Sequence, residues 1–128
     1  MYEARLGDRR ARSANPWGSM LAHGVPLALG SDSPVTPFDP WATVRAAVGH
    51  HQPSERLEVA TALEAHTAGG WAAAREDGGG RLVPDAAATF SVWDAPALGD
   101  DGLPEVGPDV PLPTCRLTVR DGITLFCA

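Results

Sequence analysis

A short apolar run, residues 25–29 (VPLAL), stands directly before the polar segment 30–35 (GSDSPV), whose lone carboxylate is Asp32. A run of this length between turn signals is typical of a strand that is buried on both faces of a parallel sheet. In parallel α/β folds, ligands bind beyond the carboxyl ends of the strands. The sequence therefore predicts a buried parallel strand over 25–29, with Asp32 at the end of the strand where chemistry takes place.

The length of the chain limits how much of such a sheet it can build. Its 128 residues allow one domain with a modest core, whereas a complete (β/α)8 barrel needs roughly 250 residues. One strand with its helices cannot bury both faces of a parallel sheet. We therefore expect an incomplete α/β domain that forms part of a larger structure.

The two halves of the chain differ in composition. Residues 1–76 are rich in Ala at helical spacing, and residues 77–128 are denser in Gly, Pro and β-branched runs. Three consecutive glycines, Gly78 to Gly80, follow the division and are typical of a chain that leaves a helix and turns. We therefore divide the chain into a first part, 1–76, and a second part, 77–128.

Local signals predict helices in the first part. The pair Asp39-Pro40 is typical of an N-cap followed by the first helical position, and predicts a helix over 40–49. Apolar spacing predicts a second helix over 58–65. The pair Gly69-Gly70 is expected to interrupt the helical pattern before a third helix over 71–75.

Strand signals dominate the second part. Residues 89–93 are β-branched and aromatic and predict a strand. The pair Asp121-Gly122 stands between the alternating runs 116–120 and 123–126, which predicts a two-residue hairpin. Residues 95–113 show no periodicity and are expected to form a loop. An isolated hairpin is marginally stable, so these strands need a sheet to join.

Charge and hydropathy exclude several classes of partner. The net charge is −6 and no basic stripe is present, which excludes nucleic acid and anionic membrane surfaces as partners. No apolar stretch approaches the roughly 20 residues of a membrane span, and the amino terminus lacks the apolar region of a signal peptide. We therefore expect a cytoplasmic location and, at Cys115 and Cys127 on neighbouring strands, reduced thiols.

Several motifs occur in order along nearly the whole chain. They are RLG at 5–7, LAHGVPLALGSDSPV at 21–35, DPW at 39–41, ALEAHT at 62–67, GRLVP at 80–84, TFSVWD at 89–94 and TVRDG at 118–122. Together they resemble the carboxyl-terminal quarter of metal-dependent amidohydrolases. The branch they resemble most is the amidohydrolase 3 family, which includes N-substituted formamide deformylases.

The resemblance implies a fold for each part of the chain. Residues 1–76 would form the last strand and helices of a distorted (β/α)8 metal-dependent hydrolase barrel. Residues 77–128 would form strands of a small, composite β-sandwich that ends in a hairpin. The chain as a whole would then be the carboxyl-terminal portion of such an enzyme.

The resemblance also implies a chemistry. It implies hydrolysis of a non-peptide C–N bond in a small amide or formamide, with Asp32 at the end of the eighth barrel strand as ligand of a divalent metal, zinc, and as general base. The other ligands of the family, an HxH pair and residues of middle strands, do not occur in this sequence. We therefore expect metal binding only together with an upstream barrel segment, and no activity from the chain alone.

Two residues near Asp32 are candidate substrate contacts, namely Ser31 and Trp41. Each site residue also has a structural alternative: Asp32 can close an Asx turn before Pro34, and Trp41 can pack in the core.

The histidines are weaker candidates for ligands. His50 and His51 are adjacent and make a poor chelate, and His66 fits a helix end better than a site.

A function of a different class stays open. The chain could be a non-catalytic remnant that acts as an interaction or oligomerisation module through exposed sheet edges. A mostly unfolded gene product is the third possibility.

Overall fold

The computed structural model describes residues 2–76 and 78–128. Its helices and strands, in chain order, are α1 (Tyr2–Leu6), α2 (Asp8–Arg12), α3 (Trp17–Ala22), α4 (Pro40–Val48), α5 (Val59–His66), α6 (Ala68–Ala73), β1 (Phe90–Asp94), β2 (Thr114–Arg120) and β3 (Ile123–Cys127). A short 3₁₀ helix covers Pro53–Glu55. The strands form an antiparallel sheet in the order β1-β2-β3. None of the described helices is long and apolar enough to cross a membrane.

Helix α4 begins where the sequence predicts. The Ala42 backbone N–H donates to the Asp39 carboxylate at 3.0 Å, and Pro40 occupies the first turn. The cap satisfies one of the backbone donors that every helix leaves free at its start. Every third residue from Trp41 to Ala47 is buried, so the helix presents one apolar face to the core.

The core joins α4 to residues from distant parts of the chain. Its buried members are Trp41, Val44, Ala47, Leu57, Ala62 and Val106. Val106 belongs to the long segment between β1 and β2, and the Arg45 side chain fastens that segment by donating to the backbone carbonyls of Val106, at 3.2 Å from Nε, and of Val110. Residues from both sides of the predicted division at 76/77 therefore share a core. Residue 77 itself lies outside the described residues.

The hairpin is confirmed. Strands β2 and β3 pair antiparallel, and the two turn residues both have left-handed backbone, with φ of 50° at Asp121 and 78° at Gly122. Two positive φ angles match the right-handed twist of the flanking strands, which is why Asp-Gly is favoured there. Strand β1 pairs with the other edge of β2. The described residues form this one sheet, and the two-layered sandwich stays a prediction.

Cys115 and Cys127 lie on β2 and β3, the neighbouring strands that were expected. Both thiols are free. The register opposes Cys127 to Leu117 rather than to Cys115, so the two sulfur atoms do not face each other directly across the strands.

The predicted parallel strand over 25–29 is wrong for this structure. Val25 is 40% exposed, and the segment belongs to none of the described strands. A parallel strand is held by hydrogen bonds to a neighbouring parallel strand, and the described residues offer it none. Instead, the Leu29 N–H donates to the Ala65 carbonyl at 3.0 Å, so the end of the segment lies against α5.

The predicted interruption at Gly69-Gly70 is also wrong, because both glycines lie inside α6. The helical pattern breaks two residues earlier, at Thr67, with φ −103° and ψ −90°. A Cβ atom on Gly69 would clash with the Leu27 carbonyl oxygen. Glycine is therefore used here so that α6 can approach segment 25–29 closely, and not to end a helix.

Candidate functional site

Asp32 lies on an exposed loop after segment 25–29. Its backbone is left-handed, with φ of 56°, a conformation that Asp tolerates better than most residues. The loop is closed by backbone groups, because the Val35 N–H donates to the Asp32 carbonyl at 2.9 Å and the Thr36 hydroxyl donates to the Ser31 carbonyl. The Asp32 carboxylate has no hydrogen-bond partner among the described residues and faces solvent.

The side chain that closes the turn belongs to Ser31. The Ser33 N–H donates to the Ser31 Oγ at 3.3 Å, which is the serine counterpart of the Asx turn considered for Asp32. Ser31 therefore has a local structural role, and the alternative in which Asp32 closes the turn does not match the described hydrogen bonds.

A metal centre needs more ligands than this loop provides. A carboxylate oxygen is a suitable ligand for a divalent metal, but a catalytic zinc has three protein ligands and one open position. In residues 2–76 and 78–128, no three His, Cys, Asp or Glu side chains lie close enough together to hold a metal ion. The described residues therefore do not fit a complete metal centre, and the assignment of Asp32 as a ligand stays a prediction.

Trp41 lies in the core. It is 5% exposed, and its ring meets that of Trp93 edge to face, with centroids 6.1 Å apart and planes at 81°. This geometry is the favoured one for an aromatic pair. Trp41 lines a cavity between the helices and the sheet that neither Ser31 nor Asp32 lines. The three predicted site residues are thus not brought to one cavity.

That cavity, which we call the aromatic cleft, has a volume of about 450 Å³. It is lined by Trp41, Leu63, His66, Thr67, Trp71, Gly80, Arg81, Leu82, Thr89, Phe90, Ser91, Trp93, Thr118 and Val119. Its walls come from α4, α5, α6, β1 and β2 and from the glycine-rich turn. Gly80 has φ of 75°, and a Cβ atom there would lie 2.5 Å from the Ala68 nitrogen, so this turn presses its backbone against the start of α6.

His66 brings a polar atom to the aromatic cleft. It is the last residue of α5, and its Nε2 atom is buried without a hydrogen-bond partner among the described residues. Burial lowers the pKa of His66 below the ordinary 6.5, because a charged imidazolium is poorly solvated there. The neutral ring therefore predominates at pH 7.

From the sequence alone there is little reason to place His66 in a cavity. A histidine at a helix end most often interacts with the helix terminus. The cleft is lined by residues near the junction of α5 and α6 at Thr67 and by Ser91 and Trp93 of β1. These two groups of residues are far apart along the chain. The break between two helices directly after His66 is the local signal that could have indicated a different role.

The other histidines lie in different surroundings. His50 is 5% exposed, the Gln52 N–H donates to its Nδ1 atom at 3.1 Å, and the Trp17 ring lies edge-on at 5.1 Å. The His51 ring is tilted by 35° against it, at 4.3 Å. The Nε2 atom of His50 is buried without a hydrogen-bond partner among the described residues, and the poor chelate expected of His50 and His51 stays a prediction.

Comparison with known proteins gives two matches. The model of the family described as "Amidohydrolase family" matches residues 1–126. The Bacillus subtilis (strain 168) protein named "Putative amidohydrolase YtcJ" is 35% identical over 75 residues, which cover 51% of this chain and 14% of the relative. The match thus spans a small part of the relative's length. No solved structure matches this chain.

Proposed function

Because this chain belongs to the amidohydrolase family, we propose that it contributes the Asp32 carboxylate to the active site of a hydrolase that cleaves non-peptide C–N bonds. One observation supports the assignment above the others. The Asp32 carboxylate is held in the open by a loop whose turn bonds are made by other groups, so it is free to act on a ligand.

We propose that the remaining ligands of the metal, zinc in this proposal, come from an upstream barrel segment. A divalent metal, when bound, lowers the pKa of water toward 7. Asp32 would be one of the residues that hold the metal, and its carboxylate would serve as the general base. The substrate would be a small amide or formamide. The chain alone would be inactive, because the described residues supply too few ligands.

Reconstitution tests this proposal. The full 128-residue chain is mixed with a barrel segment of an amidohydrolase that carries the HxH pair, and amine release from small formamides is followed with and without zinc. We expect no hydrolysis by the chain alone and zinc-dependent hydrolysis by the pair. A chelator should abolish this hydrolysis, and added zinc should restore it.

Asp32→Asn assigns the activity to the proposed residue. Because a general base contributes roughly a hundredfold or more to a rate, we expect at least that loss in the reconstituted pair. Asp85→Asn is the matched control, since Asp85 is likewise an exposed aspartate with left-handed backbone, at φ 66°. Equal activity of the two variants, or no zinc-dependent hydrolysis by any pair, would contradict the proposal.

A non-catalytic interaction module is the second candidate function. It is favoured by β3, an edge strand whose five residues are all exposed and include Ile123, Leu125 and Phe126. Such an edge offers unpaired backbone groups to another chain. Size-exclusion chromatography with native mass spectrometry should then show oligomers. A monomeric chain that unfolds in a two-state manner would count against this function.

A further inference from the structure

We propose that the aromatic cleft is a binding site for a small, neutral aromatic molecule that carries a hydroxyl group. This site is separate from the loop of Asp32, and the proposal does not depend on hydrolysis. It rests on the size of the cleft, on its lining and on a buried polar group that lacks a partner.

The size and lining of the cleft suit an aromatic ligand. Small-molecule sites are typically about 300–1,000 Å³ in volume, mostly apolar and provided with a few fixed polar groups, and the cleft measures about 450 Å³. Trp41, Trp71 and Trp93 contribute indole rings to its wall. The edge-to-face contact between Trp41 and Trp93 holds two of these rings in place, so this part of the wall is formed before a ligand arrives.

One buried polar group of the cleft lacks a partner. The Nε2 atom of His66 is buried and unpartnered among the described residues, and a buried polar group without a partner costs free energy. Ser91, which is exposed, lines the same cleft, and its Oγ accepts a bond from the Trp93 indole N–H at 2.6 Å. A ligand hydroxyl can both donate and accept, so it can satisfy the His66 nitrogen and also bond to the Ser91 hydroxyl.

The charge of the cleft favours a neutral ligand. Burial holds His66 in its neutral form at pH 7 by lowering its pKa. Arg81, the only other titratable residue of the described lining, forms an ion pair with Glu64. An anionic or cationic molecule would therefore lose hydration in the cleft without gaining an unpaired counter-charge.

Titration of the full chain with phenol, and with benzene as the isostere without a hydroxyl, tests the proposal. Binding is followed by calorimetry and by the indole N–H resonances in NMR spectra. Trp17 does not line the cleft and is an internal control. We expect saturable binding of phenol, shifts at Trp41, Trp71 and Trp93 but not at Trp17, and about tenfold weaker binding of benzene, the effect of one lost hydrogen bond.

Variants then separate the hydrogen bonds from the apolar lining. His66→Phe should lower phenol affinity about tenfold, to the level of benzene, and Ser91→Ala should produce a smaller loss without changing the fold by circular dichroism. His51→Phe, at an exposed histidine outside the cleft, should bind phenol like the wild type.

Several results would overturn the proposal. They are non-saturable phenol binding, equal affinity for phenol and benzene, and unchanged phenol affinity in both His66→Phe and Ser91→Ala. An oligomer in which a partner's side chains occupy the cleft, detected as intermolecular NMR contacts to Trp71, would also overturn it.

Discussion

Glu55 shows how one residue fastens two elements together. Its carboxylate accepts from the backbone N–H of Ser19 at 2.8 Å and from the Ser19 hydroxyl at 2.6 Å. Ser19 lies in the first turn of α3, where backbone donors lack partners within the helix. Glu55 therefore caps a helix that is 36 positions away in sequence, and the 3₁₀ helix is held against α3.

The two hydrogen bonds from Ser19 to Glu55 make the stability of the fold depend on pH. Hydrogen bonds from the Ser19 side chain and backbone lower the pKa of Glu55 below 4.5, because they favour the charged carboxylate. A carboxylate with a lowered pKa stabilises the fold above its unfolded pKa, and this contribution is lost as pH falls through the folded pKa. Glu55→Gln should therefore be less stable than wild type at pH 7, and the difference should shrink below pH 4.5.

Urea unfolding between pH 7 and pH 3 measures this difference. Glu105→Gln, at an exposed glutamate of the loop between β1 and β2, controls for the general loss of a negative charge. If the difference in free energy of unfolding between wild type and Glu55→Gln stays constant down to pH 3, the Ser19 bonds do not depend on ionisation of Glu55.

At the scale of elements, short-range signals in the sequence were sufficient only where a cap or a tight turn decides the element. Helix α4 follows from the Asp39-Pro40 pair and the hairpin from Asp121-Gly122, because a cap and a tight turn are decided within a few residues. The strand predicted over 25–29 failed because a strand is decided by its neighbours, which sequence pattern alone does not supply. The helical break was misplaced because the close approach of Gly69 to Leu27 is a tertiary contact.

The cap of α4 can be tested by removing its acceptor. Asp39→Ala deletes the bond from the Ala42 N–H and should lower the free energy of unfolding by about 1 kcal/mol. Asp39→Ser retains an acceptor, and its free energy of unfolding should stay within a few tenths of a kcal/mol of wild type. Chemical denaturation measures both. Equal destabilisation by the two variants would indicate that Asp39 acts through something other than the cap.

The hairpin turn can be tested through its backbone alone. A Cβ atom on Gly122 would meet nothing within 4 Å, so Gly122→Ala changes only the preference for φ of 78°. A left-handed conformation costs an ordinary residue about 1–2 kcal/mol, and unfolding experiments should show a loss of that order. Gly30→Ala is the control, because Gly30 also has open space and no left-handed φ. Similar losses in both variants would contradict this explanation.

For the whole molecule, the sequence indicated the order of elements and the location of Asp32 on a loop, but it did not indicate the aromatic cleft. The cleft joins Trp41, His66 and Trp93, which are separated by more than a helix or strand along the chain. The periodicity of a single element does not predict that arrangement, because it depends on side-chain contacts between distant elements, such as that of Trp41 with Trp93. Sites assembled in this way become visible only once the tertiary contacts are known.

Val106 joins the two predicted parts of the chain, 1–76 and 77–128, because it is a buried member of the core around α4. Val106→Ala removes two buried methyl groups, which should cost about 1.6 kcal/mol at roughly 0.8 kcal/mol for each group. Since the core is shared, the amide protons of both α4 and β2 should lose protection against hydrogen exchange. Val83→Ala makes the same chemical change at a side chain that is 54% exposed and should stay within ~0.5 kcal/mol of wild type. Weakened protection in β2 with unchanged protection in α4 would instead indicate two units that unfold independently.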